Sequence, residues 1–362
     1  MSNHDRSEAG KSRVPGGENR PARRYKHVRR THHASVRSQP TLPCGSNGGS
    51  FNSGQLGSVL DRSGLVGVVT STPYLSPLRY PGGKGGLSQF LASLIERQRF
   101  RCTTYIEPFA GGAGAALRLL YDEYVETIVL NDLDPGIAAF WRSVVTHTAE
   151  FIARVQHCPI TLDEWHRCKE IYTQRAGDDL ELGFATFFLN RTNRSGILTA
   201  RPIGGLQQTG RWKIDARFNR ADLADRLRLI GRYRNRITVS QEDGVDLVHA
   251  WLQSEAAASF CYIDPPYLNN GAELYLDTLG WQDHIRLAEL LKDSQRMWMV
   301  TYDCDSRVPA VLYPDLPYAR FGIAHTAAKQ HVGQEYAVFS RELMLPDLTL
   351  MGSGGAVTLE RS

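Results

Sequence analysis

From residue 71 onward, short apolar runs alternate with longer amphipathic stretches, the pattern of strands exchanging with helices. Phe90, Leu91, Leu94 and Ile95 recur at helical spacing and predict a first helix over 88–98. A short strand follows at 104–106, a helix at 115–124 and a second strand at 127–130. Residues 135–174 read as helical segments, with apolar stripes through Ile137, Trp141, Val144, Phe151, Val155 and Trp165. Helices are then expected over 180–189 and 219–234, the latter with Leu223, Leu227 and Ile230 on one face. The alternation returns as strand 236–240, helix 245–252, strand 260–263, helix 283–293 and strand 297–301. Segments 318–323 and 335–343 are placed to pair as an antiparallel hairpin at the end of the sheet, and 346–362 read as a frayed tail. This order predicts an α/β fold on an open sheet.

Composition narrows the class. The 362 residues, 42% apolar and 22% charged, are those of a globular protein of one large or two modest domains. No apolar run approaches the ~20 residues that cross a bilayer, and the basic first thirty residues lack the apolar core of a secretory signal. Six cysteines (44, 102, 158, 168, 261, 304) without a Cys-x-x-Cys pair fit reduced thiols in a cytoplasmic protein. His157, Cys158, His166 and Cys168 match no standard zinc spacing, so no metal is expected. Residues 1–70 hold 11 Lys/Arg against 4 Asp/Glu, leaving 31 against 34 for 71–362. The net +4 therefore belongs to the first 70 residues, whose Gly, Ser, Pro and Arg content predicts a disordered basic tail dispensable for chemistry.

Candidate chemistry collects where strands end. Phe260, Tyr262 and Ile263 read as a buried strand stopped by Pro265 and Pro266. Asp264 is left at its carboxyl end, where open α/β sheets bind ligands. The carboxylate, the backbone carbonyl at Pro265 and the ring of Tyr267 suit a flat, amine-bearing group such as a nucleobase. Upstream, Glu107-Pro-Phe-Ala-Gly-Gly-Ala-Gly114 joins a strand to a helix, the geometry of a nucleotide-type ligand site. An acid about 20 residues later, Asp132 in preference to Asp134, suits ribose hydroxyls. A nicotinamide cofactor and S-adenosylmethionine both fit. The missing third glycine, and Glu107 where a pyrophosphate would sit, favour the sulfonium cofactor. Lys84, after a glycine pair, can reach a carboxylate or phosphate but is not part of a P-loop. Residues 197–217 form a β-hairpin or loop excursion rich in cations and amides, the side chains that contact phosphates and base edges.

Five segments in order resemble the Dam-like class of adenine-N6 DNA methyltransferases: Arg79-Tyr-Pro-Gly-Gly-Lys84, Ile106 to Gly114, Leu130-Asn-Asp-Leu-Asp-Pro135, Leu189-Asn-Arg-Thr-Asn-Arg-Ser-Gly196 and Tyr262-Ile-Asp-Pro-Pro-Tyr267. The likeness spans about 78–343. Where the family often has Trp-Ala before Gly-Gly-Lys, this chain has Tyr80-Pro81. The resemblance implies a Rossmann-like methyltransferase sheet over 71–345, with a helical plus hairpin target-recognition insert at about 145–235. It implies S-adenosylmethionine contacts at Tyr80, Lys84, Asp132 and Asp264, a pocket lined by Glu107, Phe109, Gly112 and Gly114, and Asp243 beside the cofactor's adenine. It further implies methyl transfer to the N6 amine of an adenine flipped from duplex DNA and stacked on Tyr267, with Asp264 and Pro265 accepting the amine's N–H bonds. In the insert, Asn190, Arg191 and Arg194 would hold the recognition loop or phosphates, and Arg201, Gln207, Gln208, Lys213 and Arg217 would contact DNA. A monomer is expected, and a cognate restriction endonuclease is a companion left open. Methylation of RNA or of a protein amide, and a catalytically silent nucleic-acid-binding module, are the competing readings.

Overall fold

The computed structural model describes residues 75–79, 84–99, 101–255, 258–268, 279–325, 331–352 and 357–361. The chain divides into Met1–Gly67 and Val68–Ser362. The first unit, and with it the expected disordered tail, lies outside the described residues. The second is organised on one eight-stranded sheet.

The strands are β1 (Thr104–Glu107), β2 (Thr127–Asn131), β3 (Ile237–Ser240), β4 (Ser259–Ile263), β5 (Met297–Asp303), β6 (Pro317–His325), β7 (His331–Phe339) and β8 (Thr358–Arg361). Their spatial order is β3-β2-β1-β4-β5-β7-β6-β8. The first five run parallel, with Ile106 opposite Cys261 and Ile263 opposite Val300. The remaining three are antiparallel. The strand order thus reverses between β1 and β4, which opens a crevice at their carboxyl ends.

Helices α1 (Ser88–Glu96), α2 (Gly114–Tyr121), α3 (Pro135–Thr146), α4 (Thr148–His157), α5 (Leu162–Gln174), α6 (Asp179–Thr192), α7 (Arg220–Arg232), α8 (Gly244–Gln253) and α9 (Trp281–Lys292) cover the sheet and build the insert. Their starts follow the capping chemistry of the sequence. Asp134 accepts hydrogen bonds from the amides of Gly136 and Ile137, and Thr161, Asp178, Asn219 and Asp243 cap α5, α6, α7 and α8 in the same way.

Because side chains alternate along a strand, each buried strand supplies two cores. Tyr105, Phe260, Tyr262, Met297, Met299, Ala337 and Phe339 join α1 to α7 in one. Ile106, Cys261, Ile263, Trp298, Val300, Tyr302 and Val338 join α8 and α9 in the other. The expected insert is α4 to α7, and α6 is buried through every residue from Leu182 to Thr192. A helix buried on all sides needs cover on all sides, to which α3, α4 and α5 contribute. Between α6 and α7 the chain takes the loop form, not the hairpin. Successive turns run from 194 to 217, and one antiparallel bridge, Asn193 to Pro202, closes them at the base.

The end of the chain departs from expectation. Leu348–Met351 forms a 3-10 turn with Met351 buried, and β8 pairs with β6 from Arg320–Thr358 to Pro317–Arg361. This covers hydrogen-bonding groups that β6 would otherwise present as an open edge. A polar segment read as a frayed tail is therefore a strand in part, because its pairing depends on a distant neighbour.

The close backbone approach of α6 to α3 yields a test. A Cβ on Gly183 of α6 would lie 2.6 Å from the carbonyl oxygen of Ala139 and 2.8 Å from the Cα of Phe140 in α3, both backbone atoms. Gly183→Ala should lower stability by about 1–3 kcal/mol through forced helix separation. Urea unfolding is the measurement, and an unchanged midpoint would contradict this packing.

Candidate active site

Strand periodicity gathers the chemistry. Glu107 lies two residues from Tyr105 on β1, Thr301 two from Met299 on β5, and Glu335 two from Ala337 on β7, so all three face the core under α1 and α2. Asp264 follows Ile263, the last residue of β4. Pro265 is buried just beyond the ladder, Pro266 and Tyr267 are half-buried, and the turn faces the crevice between β1 and β4.

At its centre is the ammonium group of Lys84, whose side chain is only 4% exposed. Its Nζ lies 3.0 Å from Asp264 Oδ1 and 3.4 Å from Glu335 Oε1. It also donates to the Tyr267 hydroxyl at 3.2 Å and sits 5.3 Å from the centre of that ring. The Tyr267 hydroxyl in turn donates to Glu335 Oε1 at 2.6 Å. Burial opposes the charge on Lys84, but the fields of Asp264, Glu335 and Tyr267 outweigh it and hold its pKa well above the ordinary lysine value. Thr301 donates to Asp264 Oδ1 at 2.7 Å and is itself in contact with the Tyr262 hydroxyl at 2.9 Å. Both contacts to Asp264 fall on the same oxygen. Its carboxylate is 23% exposed, and Oδ2 has no partner among the described residues. The turn therefore presents one fixed acceptor outward.

The neighbouring strand ends form a second cluster. Gly111 and Ala113 adopt left-handed conformations, φ +46° and +47°, so the turn reverses sharply before Gly114 opens α2. Its middle residue, Gly112, is buried. The turn is held by Asp132, whose Oδ2 accepts from the Gly111 amide at 2.9 Å, and by Trp141, which donates to the Gly111 carbonyl at 2.9 Å. Buried Asn131 ties the ends of β1, β2 and β3 together through Pro108, Glu242 and Ser240. Glu107 Oε1 accepts from the Tyr105 hydroxyl and the Ala116 amide. Burial pushes its pKa up to about 8, and the charge of Asp264 adds to the rise. Asp243 caps α8, and the ring of Phe109 lies where a Cβ on Gly244 would be. Asp134 is occupied differently, capping α3 and accepting from the Tyr172 hydroxyl. Tyr80 lies outside the described residues.

The residues present fit S-adenosylmethionine. Acids at the ends of β2, β1 and β4 suit ribose hydroxyls and an ammonium group, and Phe109 offers an aromatic edge beside the Asp243 cap. Lys84 can meet the cofactor's carboxylate only by exchanging one of its protein partners.

The insert residues separate into two groups. Asn190 is fully buried, exchanging hydrogen bonds with the backbone of Arg79 (2.7 and 2.8 Å) and donating to the Gly196 carbonyl. Arg191 is nearly buried and donates to the carbonyls of Arg217 and Pro77. Burial and the charges of Arg79, Arg226 and Arg217 lower its pKa to about 9. Gln208 braces the loop through Ile203, Gly205 and Ile214. These three hold the insert from inside, whereas Arg194, Arg201, Gln207, Lys213 and Arg217 are exposed.

Folding also adds residues not singled out for the site. Arg79 and Trp212, which is 61% exposed, join the expected Arg194 and Arg217 in lining a cavity of about 290 Å³. Arg79 is distant in sequence and reaches this cavity through Asn190. Thr301 and Glu335 join the Asp264 turn from strands read only as core. A usable signal existed for Glu335: it is an acid on the buried side of Glu335-Tyr-Ala-Val-Phe339, where alternation calls for an apolar residue.

The chain matches the family model of D12 class N6 adenine-specific DNA methyltransferases over residues 80–329. It is 22% identical, over 197 residues, to the type II methyltransferase M.CviBI of Paramecium bursaria Chlorella virus NC1A, covering 54% of this chain and 70% of that protein. Among solved structures it is similar to the rRNA methyltransferase aviRa of Streptomyces viridochromogenes, with 15% identity and a TM-score of 0.33 over 73% of this chain and 86% of that one. It is also similar to protein LPL1258 of Legionella pneumophila str. Philadelphia 1, with 12% identity and a TM-score of 0.30 over 74% and 86%. Scores this low carry no weight for activity.

The buried Glu107 gives a pH signature. With its pKa raised to about 8, the folded protein retains a proton that the unfolded chain releases above the ordinary carboxylate range. The stability this proton confers is complete below the unfolded pKa and is lost as pH rises through 5 to 8. Glu107→Gln should therefore gain more on wild type at pH 8 than at pH 5 in urea unfolding of ligand-free protein. An equal difference at both pH values would mean that Glu107 titrates as an exposed carboxyl.

Proposed function

The chain belongs to the D12 class of N6 adenine-specific DNA methyltransferases, and on that premise we propose that it methylates adenine N6 in duplex DNA using S-adenosylmethionine, with the target base flipped out. The observation that carries this reading is Asp264 at the carboxyl end of β4, anchored through Oδ1 and open at Oδ2.

The exocyclic amine of adenine is a weak nucleophile because its lone pair is delocalised into the ring. Asp264 Oδ2 and the Pro265 carbonyl accept the two N–H bonds and localise that pair on nitrogen. Thr301 and Lys84 keep the carboxylate oriented, so the acceptor is in place before the base arrives. The half-buried ring of Tyr267 supplies a face for a base taken out of the stack. S-adenosylmethionine, when bound, supplies the electrophilic methyl group. Asp132, Glu107, Phe109, Gly112, Gly114 and Asp243 are the residues assigned to hold it, with Tyr80 and Lys84 at its amino-acid end.

Duplex affinity rests on the insert, since residues 71–362 carry more acids than bases. Arg194, Arg201, Lys213 and Arg217 are exposed there, and Trp212 presents an indole beside them. Asp222 is paired with Arg226 at 2.9 Å, and among the described residues Arg79, Arg194 and Arg217 around the cavity form no salt bridge to a carboxylate, a setting that favours phosphate.

Transfer of tritiated methyl from S-adenosylmethionine to duplex DNA, RNA and protein, followed by identification of the labelled base, tests the reading. N6-methyladenine in DNA is expected, and label confined to RNA or protein would replace it. Asp264→Ala should fold normally and lose transfer by at least about a hundredfold, the scale of a preorganised electrostatic group. Near-normal transfer by that variant would overturn the mechanism. Arg217→Gln should weaken binding to all duplexes alike and lower the salt slope by about 1. An unchanged slope would place the phosphate contacts elsewhere.

A further inference from the structure

Glu335 has no part in the mechanism above, yet it is the most deeply buried acid at the site. It lies on β7, opposite Asp303 of β5, with its side chain 1% exposed. Its Oε1 accepts from the Tyr267 hydroxyl and pairs with Lys84, while Oε2 is buried without a hydrogen-bond partner among the described residues. Burying a carboxylate with one oxygen unsatisfied is unfavourable, and a glutamate pointing into a mostly apolar core calls for a compensating role.

We propose that Glu335 is a positioning residue for methyl transfer, the standing anchor of both Lys84 and Tyr267; the proposal rests on the methyltransferase reading. Lys84 holds Asp264 Oδ1, and the ring of Tyr267 closes the same turn. The backbone places both residues, Lys84 at the start of the 3-10 turn Lys84–Leu87 ahead of α1 and Tyr267 after a pair of prolines, but the ends of their long side chains are held only by contacts. Glu335 fixes the two together from β7, which is paired on both sides, with β5 and β6. When an incoming amine competes for Asp264, Lys84 keeps a counter-charge and is not left as a bare buried cation. The aim of Asp264 and the tilt of the Tyr267 ring are thus set by a residue that touches neither the methyl group nor the base.

The test uses the full chain with Glu335→Gln, which keeps shape and an acceptor for Tyr267 but removes the charge, and Glu335→Asp as the conservative partner. Glu335→Gln should lower kcat at least tenfold at saturating S-adenosylmethionine, and Glu335→Asp should recover part of kcat. Adding Lys84→Met to Glu335→Gln should cost less than the two single effects combined, because the residues act as a unit. Without any turnover, the rate of Lys84 acetylation, followed by mass spectrometry, should rise at least fivefold in Glu335→Gln as the ammonium group loses its anchor. Wild-type kcat in a folded Glu335→Gln protein, or a kcat loss explained entirely by the unfolded fraction at the assay temperature, would overturn the proposal. So would unchanged Lys84 acetylation, whatever the wild-type activity. Absence of transfer by the wild type would instead overturn the methyltransferase reading.

Discussion

A single buried ammonium group organises this site. Lys84 draws together a segment ahead of α1, the turn after β4 and the middle of β7, which lie far apart in the chain. Enclosing three carboxylates, Glu107, Asp264 and Glu335, under one layer of helices is unfavourable unless charge is balanced or protons are held. The protein does both. Lys84 balances Asp264 and Glu335, and burial keeps Glu107 protonated well into the neutral range. Asp264 can therefore remain partly open to solvent with one oxygen available, while its neighbours are neutralised.

The insert solves the opposite problem. Around Arg79 and Arg191, backbone carbonyls are the hydrogen-bond acceptors in place of carboxylates. Arg191 bonds to the carbonyls of Arg217 and Pro77, and Arg79 donates to that of Asn193 at 3.1 Å. Desolvation and mutual repulsion lower the pKa of Arg79 and Arg191. Asn190 connects the two regions: it clamps the backbone of Arg79, five residues before Lys84, to the end of α6 and the turn at Gly196. Gly196, at φ +78°, sits so close to the Arg79 carbonyl that a Cβ there would clash at 2.2 Å. The cationic cavity and the acidic crevice are thus built on a shared segment.

Much of the architecture was legible because it depends on local pattern. Helical and strand periods located the described elements to within a few residues, and the Asp264 turn and glycine turn stood out by composition. The antiparallel pair at the end of the sheet followed from two apolar runs. What depends on distant partners was not legible. The 348–361 segment looked like a tail because the edge it covers belongs to β6. Asn190 and Arg191 were expected to hold the recognition loop or phosphates, but that the packing around α6 buries them against the backbone of Arg79, Gly196 and Arg217 was not legible from spacing.

By itself, the sequence determined the alternation of elements, the acids at the strand ends and the order of motifs that marks the family. These follow from residue type and short-range spacing. Tertiary structure alone decided which acid keeps an open oxygen, which arginines face outward, and that Thr301 and Glu335 belong to the site. Those outcomes depend on hydrogen bonds and charges between residues tens to hundreds of positions apart, of which local periodicity records only the out-of-place acid at Glu335.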